Sequence, residues 1–121
     1  MIVGIGTDLV EIARVEKACE KQAFLSHIYT EEECQQAGKN VSRLAGNFAV
    51  KEAVAKAFGT GFRTFLPGDI EVLRNESGKP YVNLYGGARK IAESLGICRI
   101  HVSISNTKEY AVAYVVAEGT S

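Results

Sequence analysis

The segment that most constrains this chain is residues 42–61, with the sequence SRLAGNFAVKEAVAKAFGTG. Alanines fill it, Ser42 is suited to cap a helix start, and Gly59 and Gly61 are suited to end a helix. The segment therefore predicts one long helix. Its apolar side chains cover nearly the whole circumference, which is typical of a helix in a core or a subunit interface.

One carboxylate interrupts this apolar surface. Glu52 falls on the same helix face as Phe48, and a buried carboxylate is costly unless it is paired, hydrogen-bonded or bound to a metal. Two interpretations stay open: an ion pair with Lys51 or Lys56 at a solvated edge, or a functional acid. A second oddly placed carboxylate, Asp8, favours the functional interpretation.

Asp8 follows a short apolar run, MIVGIGT, which predicts a buried strand. At the end of a strand its carboxylate would be presented to a cleft. Asp8 with Glu11 three residues later also resembles a capping box, and local sequence favours this N-cap role. The two roles can coexist.

A basic ridge follows in a helix predicted over residues 11–22, where Arg14, Lys17 and Lys21 are spaced at i, i+3 and i+7. Such a ridge is usually a solvated face, and an acidic protein partner is the alternative. The whole chain has fourteen basic and fourteen acidic residues. This balance indicates neither nucleic acid nor a membrane surface as a partner.

Length and composition predict one soluble domain over residues 1–121, since no apolar run approaches the roughly 18 residues of a membrane span. Cys19, Cys34 and Cys98 have no CxxC spacing. They predict reduced packing thiols in a cytoplasmic protein.

The middle of the chain contains two shorter signals. Thr30, followed by three glutamates, predicts a capped helix start. Phe62 and Phe65 lie in an irregular loop and are expected to pack on the core, although such a loop can also line a ligand cleft.

The second half is predicted mostly as strands, at residues 70–73, 81–85, 98–105 and 110–116, with a short helix at 88–95. In 98–105 alternation puts Cys98 on an apolar face and His101 and Ser103 on a polar face. The order of elements predicts an α+β domain, with a mainly antiparallel sheet packed on the long central helix. The very apolar last strand and the helix are a hint of oligomerisation.

Four stretches together resemble the holo-acyl-carrier-protein synthases, a family of 4′-phosphopantetheinyl transferases. They are MIVGIGTDLVEIARV, FAVKEAVAKAFGTG, the GKP turn and HVSISNTKEYAVAYV, in the family's order and spacing along nearly the whole chain. The resemblance implies transfer of 4′-phosphopantetheine from coenzyme A to a serine of apo-acyl carrier protein. Adenosine 3′,5′-bisphosphate would be released, with Mg²⁺ as the cofactor.

The resemblance also implies the catalytic residues. Asp8 and Glu52 match the family's Mg²⁺ ligands, and Glu52 or a metal-bound water is the candidate base. Lys56 matches a lysine near the scissile phosphates, where it would bind coenzyme A and stabilise the leaving group.

The family binds coenzyme A in a cleft between the subunits of a homotrimer. By resemblance, Gly78, Lys79 and Pro80 lie near the 3′-phosphate of coenzyme A, and His101 and Ser103 line the cleft.

Arg14, with Lys17 and Lys21 behind it, matches an arginine that contacts the acidic helix of the carrier protein. One position departs from the family, which commonly has A-G-R-F where this chain has Asn47 before Phe48. Asn47 cannot make a charged contact to phosphate, which leaves Arg43 as the alternative.

Two other functions remain open from the residues alone. One is a different metal-dependent phosphate enzyme, such as a nucleotide pyrophosphatase. The other is a silent module that binds carrier protein or only trimerises. The presence of both Asp8 and Glu52 argues against the silent module, because it would not need two costly acids.

Overall fold

A computed structural model describes residues 1–120 as five strands, five α-helices and one short 3-10 turn at Pro67–Asp69. In chain order the elements are β1 (Ile2–Glu11), α1 (Ile12–Cys19), α2 (Gln22–Ile28), α3 (Glu31–Ala37), α4 (Val41–Phe58), β2 (Ile70–Arg74), β3 (Pro80–Leu84), α5 (Gly86–Ser94), β4 (Ile97–Asn106) and β5 (Tyr110–Gly119). Strands β1, β5 and β4 form an antiparallel sheet in that order, and β2 pairs with β3. The predicted α+β architecture is confirmed.

Helix α4 lies at the centre of the fold. Twelve of its 18 residues are buried, which confirms the prediction of a helix that is apolar nearly all round. Strand β1 lies directly against it because Gly4 and Gly6 carry no side chain. A Cβ on Gly4 would overlap the carbonyl oxygen of Ala57, and a Cβ on Gly6 would overlap that of Ala53. Within residues 1–120, no helix combines the length and apolarity needed to cross a membrane.

The ends of α4 differ slightly from the prediction. Asn40, and not Ser42, is the N-cap, and its side chain accepts a hydrogen bond from Arg43 N at 3.0 Å. Gly59 ends the helix with a φ of 78°, in the left-handed region where glycine is favoured. Ser42 lies inside the first turn, where its Oγ accepts a hydrogen bond from Asn106.

Two predictions near the N-terminus are wrong. Asp8 is neither a strand end nor a helix N-cap: β1 continues through it to Glu11, with Asp8 opposite Ala113 of β5. The predicted helix 11–22 is also broken, because α1 ends at Cys19 and Lys21 is the extended residue before α2. Pairing with the distant β5 continues the strand, and local sequence does not reveal that pairing.

The predictions for the middle of the chain are confirmed. Thr30 caps α3, and its hydroxyl accepts a hydrogen bond from Glu33 N at 3.2 Å. Phe65 is buried, and its ring meets that of Phe62 edge to face at 5.4 Å.

The three-stranded sheet has two different faces. The inner face packs on α4 through small residues such as Ala113. The outer face carries exposed apolar side chains, with Ile5 70%, Leu9 63% and Tyr114 61% exposed. Cys98 is exposed, contrary to the predicted alternation, because the β4–β5 pairing shifts register beside it.

Candidate active site

Asp8 and Glu52 meet in one cleft of about 560 Å³ between β1 and α4. Side chains of a strand alternate between its two faces, so Asp8 shares the helix-facing side of β1 with Gly6. Glu52 comes from the middle of α4. The glycine contact between strand and helix therefore brings the two predicted acids together.

Lys56 pairs with Asp8, and not with Glu52. Its Nζ lies 3.1 Å from Asp8 Oδ1 and donates to the carbonyl oxygen of Thr7 at 2.9 Å. The other lysine considered as a partner for Glu52, Lys51, is fully buried elsewhere. The interpretation of Glu52 as half of a local ion pair is therefore wrong.

Burial in the cleft raises the pKa of the Glu52 carboxyl, and the nearby Asp8 raises it further, while Lys56 lowers it in part. Within residues 1–120, Glu52 takes part in no ion pair. The ionised form of Glu52 is thus poorly compensated by the protein itself. A cation bound beside both carboxylates would relieve this cost.

The donor set of the cleft fits Mg²⁺. The described part of the chain holds no cluster of three or more histidine, cysteine, aspartate or glutamate side chains suited to a metal. Mg²⁺ does not require one, because it prefers hard oxygen ligands and commonly takes only one or two carboxylates, with water and substrate phosphates. Asp8 and Glu52 supply that pair.

Arg14 is the third predicted residue in this cleft, exposed on α1 at its edge. The remaining lining residues, which the sequence did not assign to the site, are Leu9, Val10, Glu11, Val15, Ala18, Phe24, Phe48 and Tyr110. The helix pattern does place Phe48 beside Glu52, because it lies on the same face one helical turn earlier. Phe24 carries no such signal, because it comes from α2 and reaches Phe48 only in the fold, with ring centroids 6.1 Å apart.

Several predicted site residues do not line the cleft of their own chain. Lys17 and Lys21 are exposed outside it. Three further predicted residues lie at the connection between β2 and β3. Gly78 and Lys79 are in the turn, and Pro80 is the first residue of β3. This turn is built around Asn75, whose Oδ1 accepts a hydrogen bond from Lys79 N at 3.0 Å.

His101 and Ser103 lie on the outer face of the sheet, where Ser103 is opposite the exposed Tyr114. Asp8 is on the inner face, so one chain does not bring these residues to the acid pair. His101 Nε2 is 2.8 Å from Glu118 Oε1 on the neighbouring strand.

Asn47, which stands where the family commonly has arginine, lies in the protein interior. It is buried, donates to Glu33 Oε2 at 3.3 Å and to the carbonyl oxygen of Val72 at 3.1 Å, and accepts from Arg74 Nη1 at 3.1 Å. Its amide is thus fully engaged inside the protein and is not presented to the cleft.

The cleft is suited to an enzyme that acts on phosphate groups, because it combines two acids, a lysine paired with one of them and an arginine at its edge. The family profile described as "4′-phosphopantetheinyl transferase superfamily" matches residues 4–115, and the chain belongs to that family of transferases. The resemblance read from the sequence motifs is confirmed.

Its relatives carry a common name. A holo-[acyl-carrier-protein] synthase of Lachnoclostridium phytofermentans is 58% identical, over 98% of this chain and 97% of that protein. The crystal structure of the synthase from Neisseria meningitidis is 41% identical with a TM-score of 0.88, covering 98% of this chain and 99% of that one. A Bacillus anthracis synthase in complex with CoA (3′,5′-ADP) is 39% identical with a TM-score of 0.82, covering 99% of both chains.

Proposed function

We propose that this chain is a single transferase domain that moves 4′-phosphopantetheine from coenzyme A to a serine hydroxyl of apo-acyl carrier protein. The observation that carries the proposal is the cleft that joins Asp8, Glu52 and Arg14, with Lys56 bound to Asp8. Relatives named holo-[acyl-carrier-protein] synthase, one of them in complex with coenzyme A, support this substrate pair.

Asp8 and Glu52 are the residues that would hold Mg²⁺. When bound, the ion would neutralise the pyrophosphate of coenzyme A as its charge shifts toward the leaving group. The poorly compensated charge of Glu52 supports this assignment, because a carboxylate raised in pKa by burial gains most from a nearby cation.

Lys56 is suited to bind the leaving phosphate. Its ammonium has three N–H donors, of which two bind Thr7 and Asp8. The third is left for a phosphate oxygen, and the exposed position of Lys56 allows such a ligand to approach.

Transfer forms a bond from the serine oxygen to the phosphorus next to the pantetheine arm and breaks the pyrophosphate P–O bond. Adenosine 3′,5′-bisphosphate leaves with the electrons of that bond. The serine proton must move to a base, and we assign this role to Glu52. Its place in the same cleft as Asp8 and Arg14 supports the assignment, because a base must lie within reach of the proton that it accepts.

Arg14 is the proposed contact for the acidic helix of the carrier protein, because it is exposed at the edge of the cleft. Lys17 lies three residues further along the same helix and adds to the local positive charge. Lys21 lies beyond the end of α1, so we expect its contribution to be smaller.

The proposed assembly is a homotrimer in which a second subunit completes the coenzyme A site. The exposed apolar side chains on the outer face of the sheet support such an interface. His101 and Ser103 lie on that face, and with Gly78, Lys79 and Pro80 they would reach the acid pair of a neighbouring copy. The free cysteines support a cytoplasmic location.

The test is to incubate the protein with apo-carrier protein, coenzyme A and Mg²⁺ and to weigh the carrier protein by mass spectrometry. We expect the carrier protein to gain one phosphopantetheine group. Cleavage of coenzyme A without carrier protein would favour a pyrophosphatase. Binding of the carrier protein without modification would favour a silent module.

A further inference from the structure

Lys51 and Glu33 form a buried ion pair that the proposed mechanism does not use. Both side chains are fully buried, and Lys51 Nζ lies 2.7 Å from Glu33 Oε1. The ammonium also donates to the carbonyl oxygens of Pro67, at 3.1 Å, and Ile70. Its three N–H donors therefore reach fixed acceptors on α3, the 3-10 turn and β2.

Asn47 extends these contacts along α4, one turn before Lys51. Its amide donates to both Glu33 and the backbone of Val72. No buried side-chain nitrogen or oxygen within the described part of the chain lacks a partner. We call Glu33, Asn47 and Lys51 the Lys51 network, and it ties one face of α4 to three neighbouring elements by directional bonds.

Stability alone does not require these charges. Taking an ion pair out of water is costly, and well-packed apolar residues of similar volume often serve equally well. Hydrogen bonds, unlike apolar contacts, hold a helix in one orientation because they depend on direction. Because α4 is apolar nearly all round, hydrophobic burial distinguishes only weakly between different rotations of the helix about its axis.

The face that carries the Lys51 network is rigidly linked to the face that carries Glu52. Successive residues of a helix are about 100° apart, so a rotation at Lys51 is passed on to Glu52. Rotation by about 20° would move a carboxylate lying about 6 Å from the axis by roughly 2 Å. A displacement of only about 1 Å can lower a rate about 100-fold.

We infer that the Lys51 network positions Glu52 and Lys56 by fixing the rotation of α4. Its members are positioning residues and touch no substrate. The inference rests on the proposed function, because it assigns to the network the placement of the proposed metal ligand and phosphate-binding lysine.

The test uses the double variant Glu33→Gln/Lys51→Met, which removes both charges together. Glutamine can keep the capping bond to Thr30 N. The matched control is Val72→Ala, which removes packing from the same part of the core but keeps the carbonyl that Asn47 binds. Both variants are expected to unfold at lower temperature than the wild type.

Mn²⁺ binding to the full chain, followed by electron paramagnetic resonance without coenzyme A or carrier protein, separates positioning from stability. We expect the double variant to bind Mn²⁺ more weakly by about 10-fold or more. Its kcat should fall as well, while its KM for carrier protein stays near the wild-type value because Arg14 is on α1. Val72→Ala should keep wild-type Mn²⁺ affinity.

Wild-type Mn²⁺ affinity in a folded double variant would overturn the inference and leave the proposed function standing. If the double variant does not fold, Asn47→Ala decides, because it keeps both charges. Weakened Mn²⁺ binding by Asn47→Ala supports the inference, and wild-type binding overturns it. A wild-type chain that binds no Mn²⁺ would overturn the proposed metal site, and the inference with it.

Discussion

At the scale of single residues, Glu52 is the cleft residue whose ionised form is most unfavourable. This carboxylate is half-buried near Asp8, and the one lysine at hand is bound to Asp8. The protein thus holds a charge in a place where folding alone gives it little compensation. Residues strained in this way commonly mark functional sites.

Loss of either proposed metal ligand should lower transfer. We expect Asp8→Asn and Glu52→Gln each to reduce kcat/KM by on the order of 10² or more, as loss of a key charge-stabilising group usually does. The assay is carrier-protein modification at saturating Mg²⁺, with Glu16→Gln on the exposed side of α1 as the control. Near-normal turnover by either variant would refute the assignment.

Glu52 should also make the metal-free protein sensitive to pH. Its folded-state pKa is raised above the ordinary value of 4.5, so the folded state holds its proton more tightly than the unfolded state. Wild-type stability should therefore fall as pH rises from about 4.5 through the raised pKa. Glu52→Gln removes this loss and should be the more stable form at pH 7.

Thermal unfolding in a chelator, at pH 4 and pH 7, measures this difference. The gap between Glu52→Gln and the wild type should be larger at pH 7. Added Mg²⁺ should raise the unfolding temperature of the wild type and not of the variant, because only the wild type gains binding energy. A gap that is the same at both pH values would count against the raised pKa.

At the scale of elements, α4 could be predicted almost completely, because alanine content and terminal glycines are local signals. The path from β1 into α1 could not. Asp8 and Glu11 form a plausible capping pattern, but pairing with β5 outweighs it. The partner of Lys51 was likewise hidden, since Glu33 is distant in sequence and only the packing of α3 on α4 brings it near.

Helix α1 carries a prediction for the carrier protein. Arg14→Glu should raise the carrier-protein KM and leave that for coenzyme A nearly unchanged, at a cost of roughly 2–4 kcal/mol if the contact is desolvated. Lys21→Glu, beyond the end of α1, is the matched charge reversal and should have a smaller effect. Added salt should bring the wild type toward the Arg14 variant, since exposed charges are screened beyond about 8–10 Å.

Steady-state kinetics at low and high salt measure both effects. Equal carrier-protein KM values for wild type and Arg14→Glu at low salt would return Arg14 to an ordinary surface role.

At the scale of the whole molecule, the sequence motifs identified the acid pair, but they did not reveal which predicted residues share one chain's cleft. Alternation along β4 correctly put His101 and Ser103 on one face. Only the complete sheet reveals that this face is opposite to Asp8. The distribution of the predicted site over two faces is the reason to expect a shared site.

The proposed homotrimer predicts that subunits exchange function. A mixture of Glu52→Gln and His101→Ala chains, unfolded and refolded together, should be clearly more active than either homogeneous variant, because some interfaces would combine two intact halves. Leu9→Glu, on the exposed apolar face of β1, should shift the mass measured by light scattering toward the monomer. An active wild-type monomer at micromolar concentration would exclude the shared site.

The contact of Gly4 and Gly6 with α4 has a consequence for how this enzyme can change. The distance between the backbones of β1 and α4 is set by direct main-chain contact, so this distance depends little on the volume of core side chains, whereas the rotation of α4 is what we assign to the Lys51 network. Valines and alanines elsewhere in the core can therefore be substituted during evolution without changing that distance. Gly4 and Gly6 thus keep the distance between β1 and α4 constant while other core positions vary in sequence.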